Sequence, residues 1–181
     1  MLDDGLRTLM SARSDLLNIS QVFLWLYETT FATAIREGDA LFPWIESVHV
    51  LALTLVVGTI SIVDLRLLGV VSVNRSIASV TAEVLPFTWS AFACAVLSGS
   101  ALFASHAVGY AQNFQFRMKL LLLVLAGVNM LTFHLTMGRG MGRWSEPGAT
   151  PRPGKVAGLI SLVLWIGIVA FGRWVGFESV R

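Results

Sequence analysis

The chain has 181 residues, of which 55% are hydrophobic and only 13% are charged, whereas a water-soluble domain carries about 25% charged residues. This composition excludes a soluble globular protein and indicates an integral membrane protein. The formal net charge is +2, the basic residues form no stripe with interleaved aromatics, and there is a single cysteine, so a nucleic-acid-binding surface and a disulfide framework are both excluded.

The chain opens with a polar tail over residues 1–20, and an amphipathic pattern follows over residues 21–37. On a helix the apolar side chains of this second segment fall on one side, and the polar and charged ones fall on the other. The pattern favours a helix that lies in the membrane interface. A fifth membrane-spanning helix is the alternative, but Glu28 and three threonines disfavour it.

Four long apolar segments follow, and each can cross a hydrocarbon core of roughly 30 Å. We predict spans at residues 44–67, 86–109, 116–138 and 156–177. They must be helical, because an open sheet would leave backbone groups unpaired in lipid. The predicted fold class is an all-α membrane protein, with a four-transmembrane-helix bundle over residues 43–178 and an N-terminal amphipathic interfacial helix.

The connections between the spans suggest an orientation. Residues 68–85 and 139–155 form long loops, whereas only a few residues around Tyr110–Gln115 join the second and third spans. Six arginines and lysines lie in the long loops and their flanks. Because cytoplasmic loops carry an excess of such residues, we predict cytoplasmic long loops and periplasmic termini in a bacterial inner membrane.

Several ionisable residues are predicted to share one level of the bundle. A helix rises about 1.5 Å per residue, and successive spans run in opposite directions. One level near the outer side then holds Glu46, His49, His106, Lys119 and Arg173. Ionisable groups in a span usually face the bundle interior, which indicates a site. Alternatively, Lys119 and Arg173 snorkel to lipid headgroups, and His106 is an ordinary interfacial histidine.

Two histidines at matched depth on neighbouring antiparallel helices suit the axial positions of a b-type haem. His49 and His106 are therefore the predicted iron ligands, and Lys119 with Arg173 would hold the propionates. Glu46 lies one turn before His49, where it either orients the imidazole or pairs with one of the two cations. Small residues that would leave room for a macrocycle, or would only allow close helix packing, are Gly58, Ser98, Gly99 and Ser100.

His134 lies late in the third span, roughly 20 Å in depth from His49. It cannot ligate the same iron as His49. It either forms a local polar cluster with Asp64 and Arg66 or contributes to a second metal centre.

Four stretches carry a resemblance to known membrane proteins: FPWIESVHVLAL, VDLRLLG, MKLLLLVLAGVNMLTFH and SLVLWIGIVAFGRW. Over residues 20–178 the chain resembles an uncharacterised family of small bacterial inner-membrane proteins. Over the spans alone it more distantly resembles copper-resistance-D-type membrane proteins and HemJ-type protoporphyrinogen oxidases. The HemJ resemblance implies haem b and a role for His49 and Lys119, and less directly for His134. The copper-family resemblance implies metal passage across the membrane.

We therefore expect an integral membrane b-type haem-binding protein for electron transfer, with a membrane or periplasmic redox partner. Two other functions stay open. One is a non-enzymatic accessory subunit of a larger membrane complex, in which the polar residues are interface contacts. The other is metal or small-solute transport, for which four helices leave room only in a homo-oligomer. The residues favour no particular enzymatic reaction.

Overall fold

The computed structural model describes residues 20–137 and 150–178, and all regular structure in these two ranges is helical. Residues 20–28 belong to α1. The other helices are Thr30–Glu37 (α2), Leu41–Leu68 (α3), Ile77–Ser105 (α4), Ala107–Gln112 (α5), Phe114–Met137 (α6) and Arg152–Glu178 (α7). The predicted polar tail over residues 1–20, Ser20 apart, and most of the predicted loop over residues 139–155 lie outside the described residues.

In the two described ranges, four helices are long and apolar enough to cross a membrane, as predicted. They are Leu41–Leu68, Ile77–Ser105, Phe114–Thr136 and Arg152–Phe177. Large apolar side chains point outward along them; Leu97 is 73% exposed and Val124 is 63% exposed. An exposed apolar surface of this extent is compatible with lipid rather than water, so the chain is a multi-pass membrane protein.

The amphipathic segment is helical but is broken at Thr29 into α1 and α2. Thr29 caps α2, because its hydroxyl accepts a hydrogen bond from the Ala32 amide at 3.3 Å and donates one to the Leu26 carbonyl at 2.8 Å. The apolar side of α2 packs on α3 and α4, which buries Ala32 and Ile35. The segment therefore lies against one end of the bundle, beside α5. We call this end the α5 end and the opposite one the Arg66 end.

The second span differs from its predicted bounds. The prediction that it begins at Pro86 is wrong, because α4 begins at Ile77 and the proline lies exposed inside it. The hydroxyl of Ser76 caps this earlier start by accepting from the Ser79 amide at 3.1 Å. The predicted end at residue 109 is also wrong, because the backbone leaves the helical region at His106, with φ −139°.

Helix α3 is central to the bundle. It packs along α4 on one side and α7 on another, and α6 packs along α7. A core at mid-depth joins all four helices through Val56, Ala91, Ala126, Trp165 and Ile168. Among the described residues no Cα atoms of α4 and α6 approach within 8 Å. Contact between α4 and α6 is therefore made by side chains and not by close approach of the two backbones.

The buried side chain of Arg66 links three elements at the Arg66 end of the bundle. This side chain is only 1% exposed, and its Nε donates to the Arg75 carbonyl at 2.8 Å. Its Nη1 reaches Thr150 Oγ1 at 3.5 Å, just before α7. One guanidinium therefore ties α3 to the connection before α4 and to the start of α7.

Replacing Arg66 with alanine should destabilise the fold by about 3 kcal/mol, because a charge-assisted hydrogen bond is lost and the part-buried carbonyl of Arg75 loses its partner. Thermal unfolding in detergent, followed by circular dichroism, measures the effect. Arg75→Ala is the matched control, since its side chain makes only an exposed ion pair with Glu83. Such pairs contribute about 0–1 kcal/mol. Equal losses in the two variants would contradict the anchoring role of Arg66.

Candidate functional site

His49 projects from α3 onto α4 at the place where α4 carries two small residues. Its Nδ1 lies 3.1 Å from Ser98 Oγ. A Cβ added to Gly99 would lie 2.8 Å from His49 Cε1 and 3.3 Å from Nδ1, so only glycine admits the imidazole in this position. The Ser98–Gly99 pair thus forms a cradle for the ring.

The hydrogen bonds of Ser98 fix the tautomer of His49. Ser98 Oγ lies 2.6 Å from the Cys94 carbonyl, to which its hydroxyl proton is donated. The serine oxygen is therefore left to accept from the imidazole, and the Ala95 backbone also hydrogen-bonds to the ring. With the proton on Nδ1, His49 Nε2 carries a lone pair that can ligate a metal or accept a proton.

Lys119 on α6 extends along α7 toward the same region. A Cβ added to Gly172 would lie 3.5–3.6 Å from the Cδ, Cε and Nζ atoms of Lys119. In the described ranges its Nζ donates no hydrogen bond and forms no ion pair within 4 Å. The lysine charge nevertheless acts on His49. The His49 imidazole and a cation that has no partner in the described ranges therefore lie in the same region of the bundle.

The four residues of this arrangement share one level. His49, Gly99, Lys119 and Gly172 lie five to eight residues inside the α5 end of α3, α4, α6 and α7 respectively. This corresponds to roughly 8–12 Å of depth. The predicted common level of His49 and Lys119 is present, and we call these two residues with Ser98 and Gly99 the His49 site.

Glu46 and Arg173 lie at the same end but on the outer surface of the bundle. Both side chains are exposed, and Arg173 Cζ lies 5.7 Å from the centre of the Phe177 ring. No ion pair within 4 Å joins Glu46 to Lys119 or Arg173 in the part of the chain that the structure describes. Ser98, not Glu46, is the side chain that orients the imidazole.

His106 lies apart from the His49 site. It caps α4, with Nδ1 3.0 Å from Ser105 Oγ, and its ring packs edge-on against Phe42 and Tyr110. It is seven residues beyond Gly99, which places it roughly 10 Å further along α4 than the His49 ring. Two axial ligands must face each other across one iron. The structure therefore does not bring His49 and His106 together.

An aromatic chain covers the bundle outward of the His49 site. Successive ring centres are 5.4–6.0 Å apart along Phe23, Phe103, Phe116, Tyr110, His106 and Phe42. Phe103 lies one turn beyond Gly99, and its ring stacks on Phe116 with an interplanar angle of 13°. This stack joins α4 to α6 where their backbones are apart, and it separates the His49 site from the α5 end.

Arg36 fastens the amphipathic segment to the bundle, a role that sequence reasoning missed. Its Nη1 donates to the Tyr27 carbonyl at 3.2 Å and to the Ser105 carbonyl at 3.4 Å. Its Cζ lies 4.0 Å from the centre of the Tyr27 ring, a cation–π geometry. The available signal was a lone arginine in the last turn of a short amphipathic helix, where it can reach carbonyl groups of other elements.

The same arginine acts on His106. Partial burial, and then the Arg36 charge, lower the pKa of His106 below its usual value near 6.5. The unfolded chain therefore takes up this proton more readily, and the folded state loses stability as pH falls through the ordinary histidine pKa. Burial, and then the charge of Glu46, raise the pKa of Tyr110 beside it.

Arg36→Gln should move the titration of His106 to higher pH, because the repulsive charge is removed while the burial remains. Nuclear magnetic resonance of histidine-labelled protein in micelles follows the ring signals. Arg75→Gln, at the opposite end of the bundle, should leave the midpoint unchanged. A midpoint that does not move in Arg36→Gln would show that burial alone sets this pKa.

At the Arg66 end, the structure separates the three residues proposed for a local polar cluster. Asp64 and Arg66 are buried, at 5% and 1% exposure. His134 is exposed, and its Nδ1 lies 2.9 Å from the Met130 carbonyl of its own helix. A groove of about 490 Å³ between α6 and α7 lies near this end, lined in part by Thr136 and Arg152.

The described ranges contain no group of three or more His, Cys, Asp or Glu residues that could hold a metal ion. The His49 site offers one oriented imidazole nitrogen, one unpaired ammonium group and two small residues. This set can bind a cofactor that brings most of its own metal ligands, or it can accept a proton at Nε2.

Comparison with known proteins gives a family match. A model of a family of unknown function, DUF6644, matches residues 22–178. No curated protein and no solved structure matches the chain significantly. The matched residues include most of the amphipathic segment, all four candidate spans and the complete His49 site. The chain therefore belongs to the DUF6644 family.

Proposed function

We propose that this chain is an integral membrane protein that binds a b-type haem through His49 and transfers electrons. The observation that carries the proposal is the hydrogen bond of His49 Nδ1 to Ser98. A histidine that ligates a metal usually donates its other ring N–H to an oxygen acceptor, which fixes the tautomer and the ring orientation. His49 has this arrangement, with Nε2 left for iron.

The other residues of the His49 site supply side chains that such a group would use. Haem would bring its own ring nitrogens, so His49 would be the one ligand that the His49 site needs to supply. The Ser98–Gly99 cradle keeps the imidazole between α3 and α4. Lys119 would provide the positive charge for a propionate, because its ammonium has no acceptor in the described ranges. When bound, the haem would supply one-electron chemistry.

Each residue then has a separate task. Ser98 holds the His49 ring in one orientation, and Lys119 compensates negative charge at the same level. The Phe103–Phe116 stack limits access of water from the α5 end. Arg173, exposed at that end, would reach a second propionate or a lipid headgroup. His106 and Glu46 have no part in the proposed iron site.

The HemJ-type resemblance gives independent support. It rests on a histidine in VHVLAL and a lysine in KLLLLV, which are His49 and Lys119 in this chain. These are the two ionisable residues of the His49 site. The resemblance extends to haem binding, and we do not extend it to the oxidase reaction.

We further propose that the protein lies in the bacterial inner membrane with the α5 end toward the periplasm. Arg66, Arg75, Arg152 and Lys155 lie in or beside the longer connections at the opposite end, which the positive-inside rule counts toward a cytoplasmic side. The described part of the α5 end also holds four basic residues, Arg36, Arg117, Lys119 and Arg173. The His49 site is then within roughly 12 Å of the periplasmic surface. A periplasmic or membrane-bound redox protein would be the electron-transfer partner.

Absorbance spectra of the purified protein test the proposal. The protein is made in haem-replete cells, purified without added haem and measured before and after reduction. We expect a Soret band and, on reduction, the sharp visible bands of haem b. Protein from such cells that is folded and helical but has no Soret band would refute the proposed function.

A further inference from the structure

Among the described residues, Asp64 is the most deeply buried carboxyl group, and the His49 site does not use it. It lies on α3 at the contact with α7, and it is 5% exposed. A Cβ on Gly158 would lie 3.1 Å from the Asp64 carbonyl oxygen, so the two helix backbones are in direct contact here. The Ser161 hydroxyl, one turn further along α7, lies close enough to interact with the carboxyl group.

The second oxygen of this carboxyl has no partner. Asp64 Oδ2 is fully buried and makes no hydrogen bond within the described residues. An ionised carboxylate in an apolar interior needs several hydrogen bonds or a counter-ion, and one serine hydroxyl falls short of that requirement. A neutral carboxylic acid, in contrast, needs one acceptor for its proton.

No cation of the described residues forms an ion pair with Asp64 within 4 Å. Arg66 is two residues away on the same helix, but its guanidinium is held by the Arg75 carbonyl and Thr150 and makes no ion pair with Asp64 within 4 Å. On the helices packed against this part of α3, the charged side chains are Glu83, Arg152 and Lys155. All three are exposed, and none forms an ion pair with Asp64.

We propose that Asp64 and Ser161 form a proton-binding site at the Arg66 end of the α3–α7 contact. Asp64 holds the proton as a neutral carboxylic acid in the folded protein at neutral pH, and Ser161 is its hydrogen-bond partner. The site places an exchangeable proton between two membrane-spanning helices, which is where ionisable residues mark proton pathways in membrane proteins.

The geometry favours a proton over a metal cation. Calcium takes six to eight oxygen ligands, and magnesium needs a nearly ideal octahedron. Among the described residues, one carboxyl group and one hydroxyl converge here, and the backbone carbonyls of α3 and α7 are engaged in helical hydrogen bonds. Two donor groups are too few for such an ion, whereas they suffice for a proton.

The proton site does not depend on haem. Asp64 is fifteen residues beyond His49 on one helix, or roughly 22 Å in depth. Its protonation can be measured on protein without cofactor. If the haem proposal fails, the proton site can still be correct. If the proton site is absent, the haem proposal can still be correct.

Infrared spectroscopy of protein labelled with carbon-13 at the aspartate carboxyl group reports the protonation state directly. Protein in lipid vesicles is titrated from acidic to alkaline pH. We expect one carboxylic-acid C=O band that persists at neutral pH, shifts with the isotope and is absent in Asp64→Asn. A spectrum of the unchanged protein that shows carboxylate bands and no carboxylic-acid band at neutral pH would overturn the proposal. This outcome can be observed without any variant.

A hydrophobic carbodiimide provides a second measurement, because it reacts with protonated carboxyl groups in apolar surroundings. Dicyclohexylcarbodiimide should label Asp64, with labelling that declines at alkaline pH and disappears in Asp64→Asn. Peptide mass spectrometry locates the adduct. Glu83 is the internal control, since it is exposed and paired with Arg75 at 2.6 Å. Equal labelling of Glu83 and Asp64 would contradict a distinct proton site.

Discussion

His49→Ala protein should retain at most about one-tenth of the haem bound by the unchanged protein. On the proposed geometry His49 Nε2 is the protein's bond to iron, and no other histidine lies at this level. Loss of an orienting partner alone costs about 10–100-fold in metal affinity, so loss of the ligand itself should cost at least as much. The pyridine haemochrome assay gives the amount of haem per chain after purification.

Two further variants show whether the loss of haem is specific to the His49 side chain. His106→Ala should retain haem, because His106 lies about two helical turns from the His49 ring. Ser98→Ala should retain the ligand but lose its orientation, which predicts a weakened and spectrally broadened site. Size-exclusion chromatography and circular dichroism check that each variant is folded. Full haem content in His49→Ala, or its loss only in His106→Ala, would place the haem elsewhere.

Gly99→Ala should reduce haem affinity by about 10–100-fold without removing any ligand, as expected for a change that misplaces a metal-binding histidine. The new methyl group would lie 2.8 Å from His49 Cε1, a distance that real Cβ atoms do not adopt. The imidazole must then rotate away from Ser98 or push α3 from α4. Haem titration of the apoprotein measures the affinity, and thermal unfolding measures the cost to packing.

Gly58→Ala is the matched control on α3. A Cβ at Gly58 meets nothing within 4 Å, so it tests the same substitution in open surroundings. Alanine is favoured over glycine in a helix by about 1 kcal/mol, and this variant should therefore be neutral or slightly more stable. If Gly99→Ala behaved like Gly58→Ala in both measurements, the tight contact between Gly99 and His49 would not matter for binding.

The four spans could be predicted from the sequence because lipid imposes a strong rule: long apolar runs must be helices that satisfy their own backbone. The boundaries of α4 could not. Pro86 is typical of a helix start, but Ser76 caps the helix ten residues earlier, and the exposed proline is tolerated inside it. Which of two acceptable start signals is used depends on tertiary packing.

The candidate site could be predicted in part, because each residue of an unbroken helix adds about 1.5 Å of depth in the membrane. His49 and Lys119 lie in uninterrupted helices, and their common level follows from counting residues. His106 was predicted at the same level because α4 was assumed to continue past it. Its backbone leaves the helix there, two turns outward of the His49 ring. Counting residues along the sequence did not reveal that α4 ends at Ser105, just before His106.

Contacts between distant residues were beyond sequence reasoning. Ser98 and Gly99 were noticed as small residues, but their contact with one imidazole depends on the register of α3 against α4. Arg36 reaches the Ser105 carbonyl across sixty-nine residues. The unpaired Oδ2 of Asp64 is a property of its surroundings, and the sequence shows only an acidic residue near the end of a span.

The most direct test of the central claim uses the fact that the chain has three histidines. In the His106→Ala/His134→Ala variant, His49 is the sole histidine. Pulsed electron paramagnetic resonance of the ferric protein, labelled with nitrogen-15 at histidine, detects any imidazole nitrogen bound to iron. We predict bound haem with one coordinated histidine nitrogen. Folded protein of this variant that binds no haem, or haem with no histidine nitrogen coupled to iron, would contradict the assignment of His49.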